Sequence, residues 1–394
     1  MCKWCVKCGV APTCANGVQI RLRSCTIRLE PISRQGETQV RDRARDVYSR
    51  VGSDLATAVA LPRAAYDDVE VFNSEVQHVL KAGWLPVARV SEVASAGDYR
   101  CVDLLDVPLV VTRDTAGAVH VLSRVCRHRG MPVIEGVGNR RDFSCPYHLW
   151  RYGLDGRLIF APAMDRSAAF MPAHCNLVSI AHAAWGGWVF ANLSGAAEPL
   201  TPQLIPLTAR LSGVDPTQFV TAATLEFESP WNWKVMVENF LESYHHMGPH
   251  ATTLQPYNPA FGTYAAAAAG AFTILENPPA DAGGSAFVVA CVFPLTLIAI
   301  TEGNVPWGSW YEFDRLEHAR FRLRIHLLCT PDQAALPEVV EAICERMRDI
   351  HLEDIDVCAG AQRGVSSPSY TPGPLSHLEG CLWRFHQYLQ RCFS

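Results

Sequence analysis

Four residues of soft-metal chemistry stand in two short, similarly built stretches: Cys126-x-His128 and, after sixteen intervening residues, Cys145-x2-His148. Two thiolates and two imidazoles can hold zinc or an iron-sulfur cluster. Their order separates the two. A helical zinc finger pairs Cys with Cys and then His with His, whereas here each stretch supplies one of each. Each can therefore give a thiolate to one iron and an imidazole to the other, as in a [2Fe-2S] cluster with both histidines on one iron and both cysteines on its neighbour. Gly130 lets the first stretch turn without a Cβ, and Pro146 stiffens the second. Two rival readings, four unrelated loop residues or a zinc-stabilised interaction module, do not account for this order.

The surroundings read as a small all-β domain. Between Trp84 and Leu193, short runs such as VPLVV and VHVLS are separated by turn signals at Asp114 to Gly117, Leu154 to Gly156 and Gly186-Gly187. Before it, Val76, Val79 and Leu80 predict a short helix capped at Asn73 and ending at Gly83. After it, Ser194 to Pro206 reads as a linker. The remainder mixes classes. A helix is expected from Trp231 to Met247, strands around Phe287 to Ile300 and Trp307 to Phe313, and a further strand in which Phe321, Leu323, Ile325 and Leu327 alternate with Arg322, Arg324 and His326. A long helix over about Pro337 to Gln362 and a short terminal one follow. Strands flanked by separate helices predict an α+β domain on an antiparallel sheet. The alanine run Ala265 to Ala269 reads as a mobile segment.

A second group of candidate ligands lies in NWKVMVENFLESYHHMGPH. On a continuous helix, Val237, Phe240, Leu241, Tyr244 and Met247 would share one face, with Glu238, Asn239, Glu242 and His245 opposite. Taken singly, these polar residues fit a solvated helix side. His250, however, follows His245 by five residues across a Gly248-Pro249 break that can turn the second imidazole back toward the first. Two imidazoles and one carboxylate form the facial triad of non-haem Fe(II) sites, which leaves coordination positions open. His246 points about 100° away from His245 and is the weaker candidate. The carboxylate must come from elsewhere. In the helix bearing Ile343, Met347, Ile350, Val357 and Ala361, Asp354 falls within about 20° of the middle of the apolar stripe, and Asp356 lies on the opposite side. A buried carboxylate needs a partner, either an ion pair or a metal; Glu353 and Asp356 are fallback ligands.

Composition excludes other classes. With 394 residues, 49% of them hydrophobic and 19% charged, the chain can fill two domain cores, and a net charge of −5 offers no basic face to nucleic acid or anionic lipid. The longest apolar run, Ala286 to Ile300, is broken by Pro294 and too short to cross a bilayer; it reads as two buried strands. Fifteen cysteines in a chain with a large core and no signal-type leader point to a reducing cytoplasm. Five of them (Cys2, Cys5, Cys8, Cys14, Cys25) fall in a segment whose first 50 residues hold ten Lys/Arg against four Asp/Glu. This leader, residues 1–46, is expected to be disordered. A helical segment at 47–83, the β domain at 84–195 and the α+β domain at 196–394 would follow. No GxGxxG follows a strand, so no nucleotide site is expected.

The stretches CRHRG (Cys126 to Gly130) and CPYHLWRYGLDGRL (Cys145 to Leu158), Glu238-x3-Glu242-x2-His245-x4-His250 and EDIDVCAGAQRG together resemble the catalytic, alpha subunit of Rieske-type non-haem iron oxygenases. The likeness runs from about Tyr66 to the C-terminus. It implies a Rieske [2Fe-2S] domain on Cys126, His128, Cys145 and His148, placed before a helix-grip (START-like) catalytic domain. Mononuclear Fe(II) would be held by His245, His250 and Asp354. It also implies an O2-dependent hydroxylation or dealkylation fed by a separate NAD(P)H-dependent flavin/iron-sulfur reductase, with or without a ferredoxin. Glu242 matches an acidic position that links a Rieske histidine of a neighbouring subunit to an iron histidine, here as the relay His148, Glu242, His245 in a ring-shaped homotrimer. Leu149 stands where many relatives have glycine. Glu242, in place of the commoner Asp, and the segment PGPLSHLEGCLWRFHQYL resemble the quaternary-ammonium branch, with Trp307, Trp310 or Tyr311 as cation-π candidates. The alternatives are aromatic-ring dioxygenation and a non-catalytic electron-transfer or ligand-binding protein.

Overall fold

The alternation that marks Phe321 to Leu327 becomes one arm of the central hairpin of a seven-stranded antiparallel sheet. In the computed structural model its strands are β1 (Val220–Ser229), β2 (Tyr264–Ala265), β3 (Phe272–Asn277), β4 (Phe287–Val292), β5 (Thr296–Thr301), β6 (Trp307–Glu317) and β7 (Arg320–Cys329), in spatial order β1-β7-β6-β5-β4-β3-β2. The structure describes residues 34–394 other than Ala269 and Asn304, and residues 39–394 form one compact unit. Because successive strand residues face opposite sides, the sheet buries both faces. Leu275, Val289, Leu297, Tyr311, Leu323 and Ile325 pack with Trp233, Met347, Ile350 and Phe385 of the helices. Ile274, Val288, Ile298, Trp310 and Leu328 pack instead on Trp185, Trp188, Leu204 and Leu207. The long apolar run is the hairpin β4–β5, with Pro294 in its turn.

Five helices matter here: α1 (Arg34–Tyr48), α2 (Val69–Glu75), α3 (Trp233–Phe240), α4 (Pro337–Val365) and α5 (Gly380–Phe393). The first crosses the expected end of the leader at residue 46. Ala44, Val47 and Tyr48, spaced i, i+3, i+4, are buried in the helix-side core. Charge composition concealed that stripe. The cysteines at 2, 5, 8, 14 and 25 lie outside the described residues. The cap of α2 is Asp68, whose carboxylate accepts the backbone N–H groups of Glu70 and Val71, and not Asn73; the helix continues into a π turn over Val76–Leu80. The expected linker includes the turn Leu200–Gln203, and the next helix begins at Ile205 (Ile205–Arg210), with Leu200, Leu204 and Leu207 buried. Apolar residues at helical spacing inside a Pro-rich stretch were the overlooked signal.

Residues 85–192 build three small antiparallel sheets. One joins Leu85–Arg89, Trp188–Asn192 and Ala181–Trp185. The second orders Val119–Ser123, Val107–Arg113, Asp98–Leu104 and Val137–Asn139, and the third, Phe143–Ser144, Arg151–Tyr152 and Leu158–Phe160. Among the described residues no helix is long and apolar enough to cross a membrane.

Candidate metal centres

The two Cys/His stretches fold into equivalent loops. In the first, Cys126 N–H donates to Met131 C=O at 3.0 Å and Gly130 N–H to Cys126 C=O at 3.0 Å; in the second, Cys145 N–H donates to Trp150 C=O at 2.8 Å and Leu149 N–H to Cys145 C=O at 2.9 Å. The fifth residue of each loop is left-handed, Gly130 at φ +76° and Leu149 at φ +59°. Here the departure from glycine noted in the sequence falls on a conformation that a Cβ disfavours.

Across the loops like residues meet like. Cys126 and Cys145 are both buried, and burial, with Cys126 beside it, pushes the Cys145 thiol up. The rings of His128 and His148 stand 4.6 Å apart between centroids. Trp150 stacks on His128 at 5.0 Å and Tyr147 on His148 at 3.9 Å, which fixes both ring planes. The Tyr152 hydroxyl lies 3.3 Å from Cys126 Sγ and accepts the Arg127 N–H at 3.1 Å. His148 Nδ1 is buried without a hydrogen-bond partner, and burial lowers the His148 pKa toward the neutral form that a metal requires. Two paired thiols, two paired imidazoles and an orphaned ring nitrogen fit a [2Fe-2S] cluster.

In the second region the expected continuous helix is interrupted. Asn232 caps α3 by accepting the Lys234 N–H at 3.1 Å. The helix stops at Phe240, and a 3-10 turn resumes at Tyr244–Met247. Glu242 lies in the break, where its carboxylate takes the His245 backbone N–H at 3.0 Å and also lies 2.6 Å from His245 Nδ1.

His250, past Gly248-Pro249, is oriented in the same manner: its Nδ1 lies 2.6 Å from Glu353, which also accepts the Thr253 hydroxyl at 2.6 Å. With both Nδ1 atoms engaged by carboxylates, both Nε2 atoms converge on Asp354 Oδ1, at 3.0 Å from His250 and 3.6 Å from His245. One ligand atom from each of the three residues lies within 4.8 Å of the others. A neutral imidazole carries one N–H. Where that proton serves the Nδ1 bond, Nε2 and the carboxylate oxygen are two acceptors face to face, an arrangement that calls for a cation between them. Burial opposes charge on His250, but Asp354 and Glu353 outweigh it and raise its pKa. Burial likewise works to raise the Asp354 carboxyl, and His250 and His245 outweigh it and hold the group low. The donor set and its orientation fit a facial-triad iron.

The other candidates fall elsewhere. His246 Nδ1 is spent on the Asn258 carbonyl at 2.9 Å, and burial pushes its pKa down to about 4. Asp356 is on the exposed side of α4. Glu353 engages His250 Nδ1, on the side of the ring away from Asp354. Its role, and those of Thr253 and of Asn239, whose amide donates to Asp354 at 3.2 Å, were not anticipated; the adjacency of Glu353 to Asp354 was the available signal. Beside the triad opens a cavity of about 360 Å³, lined among others by Phe240, Leu254, Phe287, Trp307, Tyr311 and Arg346. Trp307 and Tyr311 face it from β6. Trp310 points through the opposite face onto Trp188 and His326, since side-chain direction alternates along a strand, and so leaves the cation-π candidates.

Residues 83–177 match the Rieske [2Fe-2S] domain family, and residues 217–276 and 270–394 match the ring hydroxylating alpha subunit (catalytic domain). The chain is 34% identical to the glycine betaine monooxygenase oxygenase subunit of Chromohalobacter salexigens over 198 residues, 50% of this chain and 44% of that protein. It is 27% identical to the chloroplastic choline monooxygenase of Amaranthus tricolor over 349 residues, 84% of this chain and 77% of that one. It is 32% identical to the carnitine monooxygenase oxygenase subunit of Escherichia coli K12 over 191 residues, covering 48% and 51%. The matches thus span about half the length of two of these three relatives. The solved structure of a quaternary ammonium Rieske monooxygenase superposes with a TM-score of 0.79 at 22% identity, over 89% of this chain and 98% of that one. Naphthalene 1,2-dioxygenase from Rhodococcus sp. does so with a TM-score of 0.74 at 20% identity, over 92% and 99%. The two family matches follow one another along a single chain in the order that the two centres require, and by them this protein belongs to the Rieske-type non-haem iron oxygenases as an alpha, catalytic subunit.

Proposed function

We propose that the protein is an O2-dependent oxygenase that hydroxylates or dealkylates a small quaternary ammonium compound, with electrons from a separate NAD(P)H-dependent reductase. Cys126, His128, Cys145 and His148 hold the [2Fe-2S] cluster, and His245, His250 and Asp354 hold Fe(II). The observation that carries this reading is the pair of imidazoles, each gripped at Nδ1 by a glutamate and aimed through Nε2 at one buried aspartate. Bound there, ferrous iron supplies O2 activation at its open positions and the cluster supplies a stored electron.

The chain's own residues do the rest. Glu242 and Glu353 fix the tautomer and direction of the two imidazoles. The walls from Phe240, Phe287, Trp307 and Tyr311 exclude water and offer π faces to an alkylammonium group. Glu242 also serves as the contact for His148 of a neighbouring copy, in a ring-shaped homotrimer. The exposure of Tyr147 and Leu149 beside His148, and of Tyr244 and Met247 beside His245, supports two complementary apolar surfaces.

The test is turnover under 18O2 with a surrogate reductase on a panel of methylammonium and aromatic compounds, after checking the dithionite-reduced protein by EPR. The expected result is an axial cluster signal and 18O in the product of a methylammonium substrate. Incorporation into aromatic compounds alone would replace the substrate class with that of the ring dioxygenases; absence of the axial signal would overturn the assignment of the loops. Glu242→Gln is expected to keep both metals and lose turnover, and near-normal activity would remove it from the electron path.

A further inference from the structure

The cavity beside the triad has one charged side chain, Arg346, that pairs with no carboxylate among the described residues. We propose that Arg346 is a specificity-determining residue that binds a carboxylate of the substrate, so that this enzyme selects zwitterions, with a quaternary ammonium at one end and a carboxylate at the other, over plain alkylammonium cations. The inference rests on the cavity being the substrate site of a quaternary ammonium oxygenase.

Of the charged groups lining the cavity, Glu242, His245, His250 and Asp354 are engaged with one another. Arg346 is different: among the described residues no carboxylate lies within ion-pair distance of it. Its neighbours Glu345 and Asp349 carry opposite charge but are exposed and unpaired with it. What holds it is the ring of Tyr257, with the guanidinium carbon 5.4 Å from the centroid. A guanidinium resting on an aromatic face keeps its in-plane N–H groups free, in the fork geometry that matches a carboxylate. Arg346 and Asp354 stand on the same helix, with Met347 and Ile350 lining the wall between them. A molecule lying along this wall therefore meets the triad at one end and a cation at the other, within a cavity that Trp307 and Tyr311 of β6 also line. An uncharged arene makes no use of Arg346, and a simple cation such as choline is repelled by it. Exposed apolar groups alone would not distinguish these ligands; the Arg346 guanidinium does.

Two ligands of matched shape test this: γ-butyrobetaine, and butyltrimethylammonium, which has a methyl group where the other has the carboxylate. Both are titrated calorimetrically into the anaerobic holoenzyme, with naphthalene as the neutral control. The wild type is expected to bind γ-butyrobetaine roughly 10- to 100-fold tighter than butyltrimethylammonium, the range of a charge-assisted hydrogen-bonded pair. Arg346→Gln should abolish that preference, leaving butyltrimethylammonium bound at least as tightly as before, and Arg346→Lys should retain part of it. Because Arg346 is exposed, an unchanged melting temperature is expected for both variants. Equal binding of the two ammonium ligands by the wild type, or an unaltered preference in Arg346→Gln, would overturn the role of Arg346 and leave the quaternary ammonium reading standing. Binding of naphthalene with neither ammonium ligand would overturn both.

Discussion

His250 Nε2 stands 3.0 Å from Asp354 Oδ1 across 104 residues of sequence, and the long helix α4 exists at that spot to deliver one buried carboxylate to two imidazoles. Removing it should empty the iron site and nothing else. Asp354→Ala is expected to lower iron from three to two atoms per chain with sulfide unchanged, measured by metal and acid-labile sulfide assay. The same protein should no longer gain thermal stability from added Fe(II), whereas the metal-depleted wild type should, because a ligand that binds only the folded state stabilises it. A variant that retains its third iron would move the ligand role to another carboxylate.

Glu353, a fallback ligand in the sequence, lies in the structure 2.6 Å from His250 Nδ1, on the side of the ring away from Asp354, where a carboxylate can orient the imidazole. Carboxylates so placed contribute typically 10- to 100-fold to metal affinity. Glu353→Ala should weaken Fe(II) binding by about that factor, and Glu353→Gln by less, because the amide oxygen can still accept the Nδ1 proton. Competition with a graded chelator series measures it. Complete loss of iron, equal to that in Asp354→Ala, would mark Glu353 as a ligand.

How much of this was legible in the sequence depended on how local the signal was. The spacing of Cys126, His128, Cys145 and His148 is a short-range property, and so is the alternation in β7. Asp354 was legible because a charged residue in the middle of an apolar helical stripe is locally anomalous. The interruption of α3 was not, because the apolar period runs on through Leu241, Tyr244 and Met247 although the backbone leaves the helix after Phe240 and the Glu242 side chain takes the His245 N–H. Nor were the assignments of Trp307 and Tyr311 to the cavity and Trp310 to the opposite core, since alternation tells which residues share a face but not which face meets the site. The stripe of α1 was obscured by the basic residues around it.

Leu149 holds a left-handed backbone, φ +59°, with its side chain 62% exposed. A Cβ in that region costs roughly 1–2 kcal/mol, and glycine loses some of the relief through its freer unfolded chain. Leu149→Gly should therefore raise stability by about 0.5 kcal/mol. The retained leucine is explained if its exposed side chain is covered by a neighbouring copy beside His148. The same substitution should then weaken self-association in sedimentation velocity, whereas Leu149→Ala should weaken it with no gain in stability. Unchanged association in both would leave the strain without a compensating contact.

Glu312 ties the two halves of the chain together. From β6 it accepts two hydrogen bonds from Arg100 of the strand Asp98–Leu104, each at 2.9 Å, and lies 2.6 Å from His326 Nε2. Burial would raise its carboxyl, but His326 and Arg100 outweigh that and hold it at about 2, against an ordinary value of 4.5. A carboxylate whose pKa is depressed on folding stabilises fully above its unfolded value and loses that contribution as pH falls toward the folded one. Breaking such a pair leaves buried partners uncompensated, at a cost of roughly 3 kcal/mol. Glu312→Gln should therefore be less stable by about that amount in urea unfolding near pH 7. The gap should hold down to about pH 5 and narrow below it, because there the unfolded wild type takes up a proton on Glu312 that the folded protein keeps off until about pH 2, while the variant has no such group. A gap that widened on acidification would mean that the charge on Glu312 opposes folding, and that the Arg100 contact joins the halves through shape rather than electrostatics.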